Sequence, residues 1–215
     1  MSNPDSFIDE VTEEVRRDRL FAAFRRYGWI GIVVVLLIVG GAAWTEWQKA
    51  RAATAAQAFG DALLAALDAQ TPAARSAALA AVPATGAQVA VRDLLTASDP
   101  ASDRDATLAT LTRLAGDAAL PQSYRDLATL RRVALAGADM PAADRRAALD
   151  PIAAPGRPFR TLALEQMAYI AIEGGEVDAA VTQLRALTVD SEAPAGLRRR
   201  AEQVIEALGG NRAEG

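Results

Sequence analysis

The sequence predicts an all-α protein: a single N-terminal transmembrane helix followed by a solenoid of helical hairpins. Three observations predict it. Residues from Tyr27 to Thr45, 19 in all, carry no charged side chain. Hydrophobic residues make up 51% of the chain and aromatics only 5%, because alanine, the best helix former, supplies most of the apolar count. Strand signals are nearly absent, with no sustained β-branched alternation and no Asn-Gly or Asp-Gly turn, whereas Pro and Gly recur between short apolar-periodic runs.

The first element is a tail, residues 1–26. Phe7, Ile8, Val11 and Val15 share one helical face, and Leu20, Phe21 and Phe24 lie nearly opposite, so one straight helix cannot offer both sets to a single surface. The tail therefore divides in two. Its acidic first piece is either a partner-binding helix or a disordered stretch, and its arginine-flanked second piece lies in the membrane interface.

The second element is the span, residues 27–47. A helix of its uncharged core is about 28 Å long, close to the ~30 Å hydrocarbon thickness of a bilayer. Ile30 and the run Ile32–Val39 are apolar all the way round, which a core helix with one wet face would not be. Tyr27 and Trp29 sit at one boundary and Trp44 and Trp47 at the other, where amphipathic rings prefer to lie. Gly41-Ala42-Ala43 would suit a signal peptidase, but the n-region would be far too long and too acidic, so an uncleaved anchor is expected. Arg16, Arg17, Arg19, Arg25 and Arg26 precede the span, and only Lys49 and Arg51 follow closely. Basic residues stay in the cytoplasm, which puts the tail inside and residues 48–215 across the membrane. Gly40-Gly41-Ala42-Ala43 is either a close contact with another helix or a lipid-exposed patch of small side chains.

The remaining elements read as helix after helix. "WQKARAATAAQAFGDALLAALDA" continues the membrane helix, with Phe59, Leu63, Leu64 and Leu67 as one face. Thr71-Pro72 opens a short helix that Pro83 ends. "TGAQVAVRDLLTA" follows, with Val89, Val91, Leu94 and Leu95 as its apolar points. In "DPASDRDATLATLTRLAGDA", Asp99 is expected as the cap and Pro100 at the first helical position, with Asp103 and Asp105 near the positive end of the helix. Leu108, Leu111 and Leu114 are its core points. "LPQSYRDLATLRRVALAG" carries Tyr124, Leu127, Leu130 or Arg131, and Leu135, and Pro151 and Pro155 break "MPAADRRAALDPIAAPG". The final helix, "PAGLRRRAEQVIEALG", is read as a cap on the array with Arg198, Arg199 and Arg200 solvated.

The clearest unit is "TLALEQMAYIAIEGGEVDAAVTQLRAL", two helices joined by Gly174-Gly175-Glu176. Set against the tetratricopeptide pattern, Leu164 takes the first large apolar position and Met167-Ala168 the Leu-Gly pair. Gly175 belongs to the turn, Ala180 is the small residue where the helices touch, and Leu184 stands at the aromatic position. Leu187 or Ala186 is the next small one. Ala171 stands where the repeat usually has tyrosine, and Pro194 comes two residues late. The alternative is an ordinary helical hairpin.

Composition narrows the chemistry. The chain contains no His and no Cys, which excludes Ser-His-Asp and Cys-His catalysis, thiol redox pairs and ordinary zinc or copper sites. The one lysine, Lys49, has no serine near it for a Ser-Lys dyad. Asp99, Asp103 and Asp105 are the densest acidic group, but they lack the glycine of an EF-hand loop and read better as helix-start residues. No catalytic residue, cofactor or metal is expected. The net charge of −4, with no basic stripe, argues against nucleic acid as a partner.

Three stretches together, "LFAAFRRYGW", "EWQKARAATAAQAFGDALLAAL" and "FRTLALEQMAYIAIEGGEVDAA", resemble the YfgM-like proteins, ancillary subunits of the SecYEG translocon, over nearly the whole chain. The resemblance implies a bacterial inner-membrane protein with a periplasmic tetratricopeptide-like domain. It also implies association with the translocon and with a PpiD-type periplasmic chaperone, and assistance to exported polypeptides. It brings no catalytic residues. An alternative expectation is a membrane-tethered scaffold or envelope-stress signalling subunit whose tail contacts a cytoplasmic regulator.

Overall fold

A computed structural model describes residues 4–99 and 103–210, with side chains described from Arg25 onward except at Tyr27 and Gly28. The apolar and basic side chains of the tail before Arg25, the Tyr27 ring and Pro100 lie outside the described residues. Every regular element among the described residues is helical: α1 (Pro4–Leu67), α2 (Pro72–Ala81), α3 (Ala87–Thr96), α4 (Arg104–Gly116), α5 (Gln122–Ala136), α6 (Ala142–Leu149), α7 (Arg160–Glu173), α8 (Val177–Thr188) and α9 (Ala195–Ala207), with a short 3₁₀ turn at Gly137–Asp139. The chain divides into two compact units, Met1–Ala58 and Phe59–Gly215.

The first unit belongs to α1. Its backbone is one helix from Pro4, without the division expected within the tail. No proline or glycine interrupts residues 5–27, so nothing in the local chemistry breaks the hydrogen-bond ladder there. From Trp29 the helix is long and apolar enough to cross a membrane, its best window reaching a mean hydropathy of 1.9 with none of it buried in protein. Leu36, Leu37 and Ile38 are each about two-thirds exposed. In water such a surface is unfavourable at about 25 cal/mol per Å², and hydrocarbon removes that cost.

The second unit is built serially. Where a chain of this size could hold one continuous core, four separate apolar clusters follow one another. The first joins Leu63 and Ala66 at the end of α1 to Leu79 of α2, Val82, and the α3 side chains Val91 and Leu95. The second joins Ala90 and Leu94 of α3 to Leu111 and Leu114 of α4 and Ala128 of α5. The third joins Leu130 and Val133 of α5 to Leu149 of α6 and Ala163 and Ile170 of α7. The fourth joins Ala168 of α7 to Val181, Leu184 and Leu187 of α8 and Leu197, Ala201 and Ile205 of α9. Helices α3, α5 and α7 therefore each serve two clusters through two faces. Helices pack chiefly on sequence neighbours, with α5 also meeting α7 and α7 meeting α9.

Several expectations change in detail. At the end of α1 the buried face is Phe59, Ala62, Leu63, Ala66 and Leu67, whereas Leu64 is 64% exposed. Leu64 sits one residue, or about 100°, round from Leu63 and so leaves the core, while Ala62 and Ala66 stay on the Leu63 side. Helix α4 is capped by Asp103 and not by Asp99: the Ala106 N–H donates to Asp103 Oδ1 at 2.9 Å. Asp99 lies outside the helix and pairs with Arg75 at 3.6 Å. By contrast, Thr71 caps α2 as its position before Pro72 requires, accepting from the Ala74 N–H at 3.2 Å. In α5 Leu130 is the buried residue, and Arg131 instead donates to the Leu94 carbonyl at 2.7 Å.

Candidate functional site

At the edge of the apolar segment, Trp29, Trp44 and Trp47 are all more than half exposed. Trp44 and Trp47, three residues apart on one face of α1, bring their ring centroids within 5.2 Å. The Arg51 guanidinium carbon lies 5.4 Å from the Trp47 ring centre. On the other side of the helix Lys49 reaches Glu46 at 3.9 Å.

The α7–α8 hairpin positions the six residues matched to the repeat pattern. Gly175 has φ = 77°, a conformation that strains any residue with a Cβ. Its N–H donates to the Ile172 carbonyl at 3.0 Å and that of Glu176 to the Ala171 carbonyl at 2.8 Å, the paired bonds of a Schellman helix end. Ala168, Ala180 and Leu184 are fully buried, and Leu164 packs on the cluster shared with α9. Met167 turns the other way, onto the cluster shared with α5 and α6. At the end of the hairpin Leu187 is buried and Ala186 exposed.

The sequence reading missed a set of acid–arginine clamps that join helices across these clusters. Asp93 of α3 is held by Arg92 and by Arg113 of α4. Asp126 of α5 accepts both carboxylate bonds from Arg157 Nη2, each at 2.7 Å, before α7 begins. Arg145 of α6, itself 5% exposed, reaches Glu173 at 2.6 Å. Arg160 of α7 reaches Asp190 at 2.7 Å. Arg200 of α9, expected to be solvated, donates Nε and Nη2 to the two oxygens of Glu165 at 3.0 and 2.8 Å. Glu165 is only 2% exposed and also accepts from the Tyr169 hydroxyl at 3.0 Å. An ionised carboxylate at that depth needs a partner, and Arg200 supplies it while its own side chain stays about half exposed to water. No local sequence signal pointed to these pairs. Three of these clamps, at Asp126, Asp190 and Glu165, join residues 30 to 35 positions apart.

Electrostatics follow the geometry. Burial, then the adjacent Glu165 carboxylate, push the Tyr169 phenol above its ordinary value of 10.0, with Arg200 acting against them. The hydrogen bond from Arg145 holds Glu173 below the ordinary 4.5, and the bond to Glu165 raises Arg200. A cavity of about 490 Å³ opens between α6, α7 and α8 and is lined by Arg146, Ala147, Asp150, Met167 and Gln183. Arg146 is tied to Glu176 at 2.9 Å, which leaves a mixed polar rim above the Met167 thioether. Among the described residues no group of three acidic side chains stands close enough together to hold a metal ion. The buried carboxylates Asp93, Asp126 and Glu165 are all committed to guanidinium groups. No family model, curated protein or solved structure matches the chain.

Proposed function

We propose that this protein acts by binding other proteins, as a single-pass subunit of the inner membrane with residues 48–215 in the periplasm. The observation that carries the proposal is the serial order of the four cores behind an unburied apolar helix. Helix pairs stacked in that way support the reading of a degenerate tetratricopeptide-like array. Such arrays present long continuous surfaces suited to holding another chain. Five arginines before the span and two bases after it support a cytoplasmic tail. Tethering keeps the surface at high effective concentration beside polypeptides leaving the membrane. The resemblance to YfgM-like proteins supplies the machinery: the SecYEG translocon and a PpiD-type chaperone, with exported polypeptides as clients.

Purification of the full-length protein in mild detergent tests this. Translocon subunits and a periplasmic chaperone are expected to co-purify, and residues 48–215 alone are expected to recover them more weakly. Recovery of cytoplasmic regulators alone, dependent on residues 1–20, would replace this function with the envelope-signalling one.

A further inference from the structure

Arg51 is a cation with unspent donors. Its side chain makes no hydrogen bond or ion pair among the described residues, only the stacking contact with Trp47 at 5.4 Å. The next base along the helix, Lys49, is already occupied by Glu46. Positions 44, 47 and 51 fall within an arc of about 60° on α1, so the two indoles and the guanidinium form one ladder. Glu46 and Lys49 lie on the opposite side. This end of the helix therefore has an aromatic-cationic face and a self-neutralised face.

A guanidinium drawn to an indole by its charge retains its N–H donors for an oxyanion, and its fork geometry matches phosphate oxygens. Depth selects the phosphate. If Trp47 lies at the hydrocarbon boundary, Arg51 is about 6 Å further along the helix. The polar layer on each side of a bilayer is about 5–7 Å thick, which brings Arg51 level with lipid headgroups. The geometry points to a lipid site: Trp44, Trp47 and Arg51 bind the phosphodiester of an anionic phospholipid in the leaflet that the helix enters after Val39. The inference rests on the membrane-anchor part of the proposed function. Occupancy turns the Trp–Arg face of α1 toward lipid and so sets the rotation of the helix about its own axis.

The test uses full-length protein in phosphatidylcholine vesicles containing a minority of phosphatidylglycerol brominated on its acyl chains, with tryptophan quenching as the readout. A second preparation carries the bromine on phosphatidylcholine instead. Excess quenching by phosphatidylglycerol is expected to report about fivefold local enrichment, the equivalent of about 1 kcal/mol for one basic residue at an anionic surface. Arg51→Gln is expected to remove the part of the excess that Trp44 and Trp47 report, and Arg51→Lys to keep some of that part. Trp29 lies about 27 Å from Trp47 along the helix and contributes equally to every variant. Equal enrichment in Arg51→Gln overturns the site, as does equal enrichment of brominated diacylglycerol, which has no phosphate. Abolition of the excess by soluble glycerol phosphate overturns the lipid as its source. Failure of the protein to float with vesicles overturns the anchor itself, a separate outcome.

Discussion

Asp126 and Arg157 show what a single pair of side chains carries here. Their side chains are 8% and 20% exposed, so removing the cation leaves a carboxylate with little water to turn to. Arg157→Met is expected to destabilise the domain by about 3 kcal/mol, whereas Asp126→Leu combined with Arg157→Met recovers most of that loss. Urea unfolding of both variants checks it, and equal losses would mean that the pair is not coupled. Tyr169 gives a second residue-level outcome. The folded state holds the Tyr169 proton more tightly than the unfolded chain does. The corresponding stability is present below the ordinary phenol value of 10.0 and is lost as pH rises through the higher folded value. Phenolate absorbance should show one tyrosine ionising late, and Tyr169→Phe should remove that phase. The Asp126–Arg157 pair could not be identified from sequence, because its members are 31 positions apart and each has several possible partners, whereas Glu165 and Tyr169 stand four apart on one helix. Only the fold chooses among them.

Helices were more legible than side-chain pairs. Their starts and stops carry local chemistry, and Thr71-Pro72 and Gly174-Gly175-Glu176 could be read without any knowledge of the core. Helix α4 shows where that local reading runs out. Asp99 followed by Pro100 and Asp103 followed by Arg104-Asp105-Ala106 both look like helix starts, and the structure takes the second. Asp103→Ala is therefore expected to cost about 1 kcal/mol by uncapping the Ala106 N–H. Asp99→Ala, which removes no cap of α4 and loosens an ion pair with Arg75 whose side chains are each about one-third exposed, should cost less. Thermal unfolding of the two variants distinguishes the caps, and a larger loss at Asp99 would restore the earlier boundary. Leu64 makes the related point about faces: spacing placed it beside Leu63, and the structure turns it outward. Alanine caused that error, since Ala62 and Ala66 are too small to stand out in an apolar pattern yet occupy the contact.

Across the whole chain, the all-helical class and the long apolar helix were legible because both depend on composition and length. The serial division of the core was not, because it depends on which face of α3, α5 and α7 meets which neighbour. That division has a consequence for unfolding. Ala180 is fully buried in α8, and Ala180→Phe overpacks the last cluster at a cost of typically 1–3 kcal/mol. Hydrogen exchange should then speed up first in α7, α8 and α9, while amides of α2, α3 and α4 retain their protection. Uniform acceleration throughout would indicate one cooperative core in place of four linked ones.

The preference for arginine in every clamp leaves the chain with one lysine, at Lys49, and its side chain is 76% exposed just beyond the apolar helix. Amine-directed reagents therefore have one side-chain target in the whole protein. A membrane-impermeant amine label applied to intact spheroplasts reports directly on which side of the bilayer that residue stands. Modification at Lys49 without cell lysis is the expected result, and labelling that appears only after lysis would invert the orientation. A cross-linker whose amine-reactive arm is attached at Lys49, identified by peptide mapping, reaches from there to whatever lies next to that end of the helix. The same scarcity leaves residues 59–215 without a lysine amine, so side-chain amine cross-links report on the end of the apolar helix.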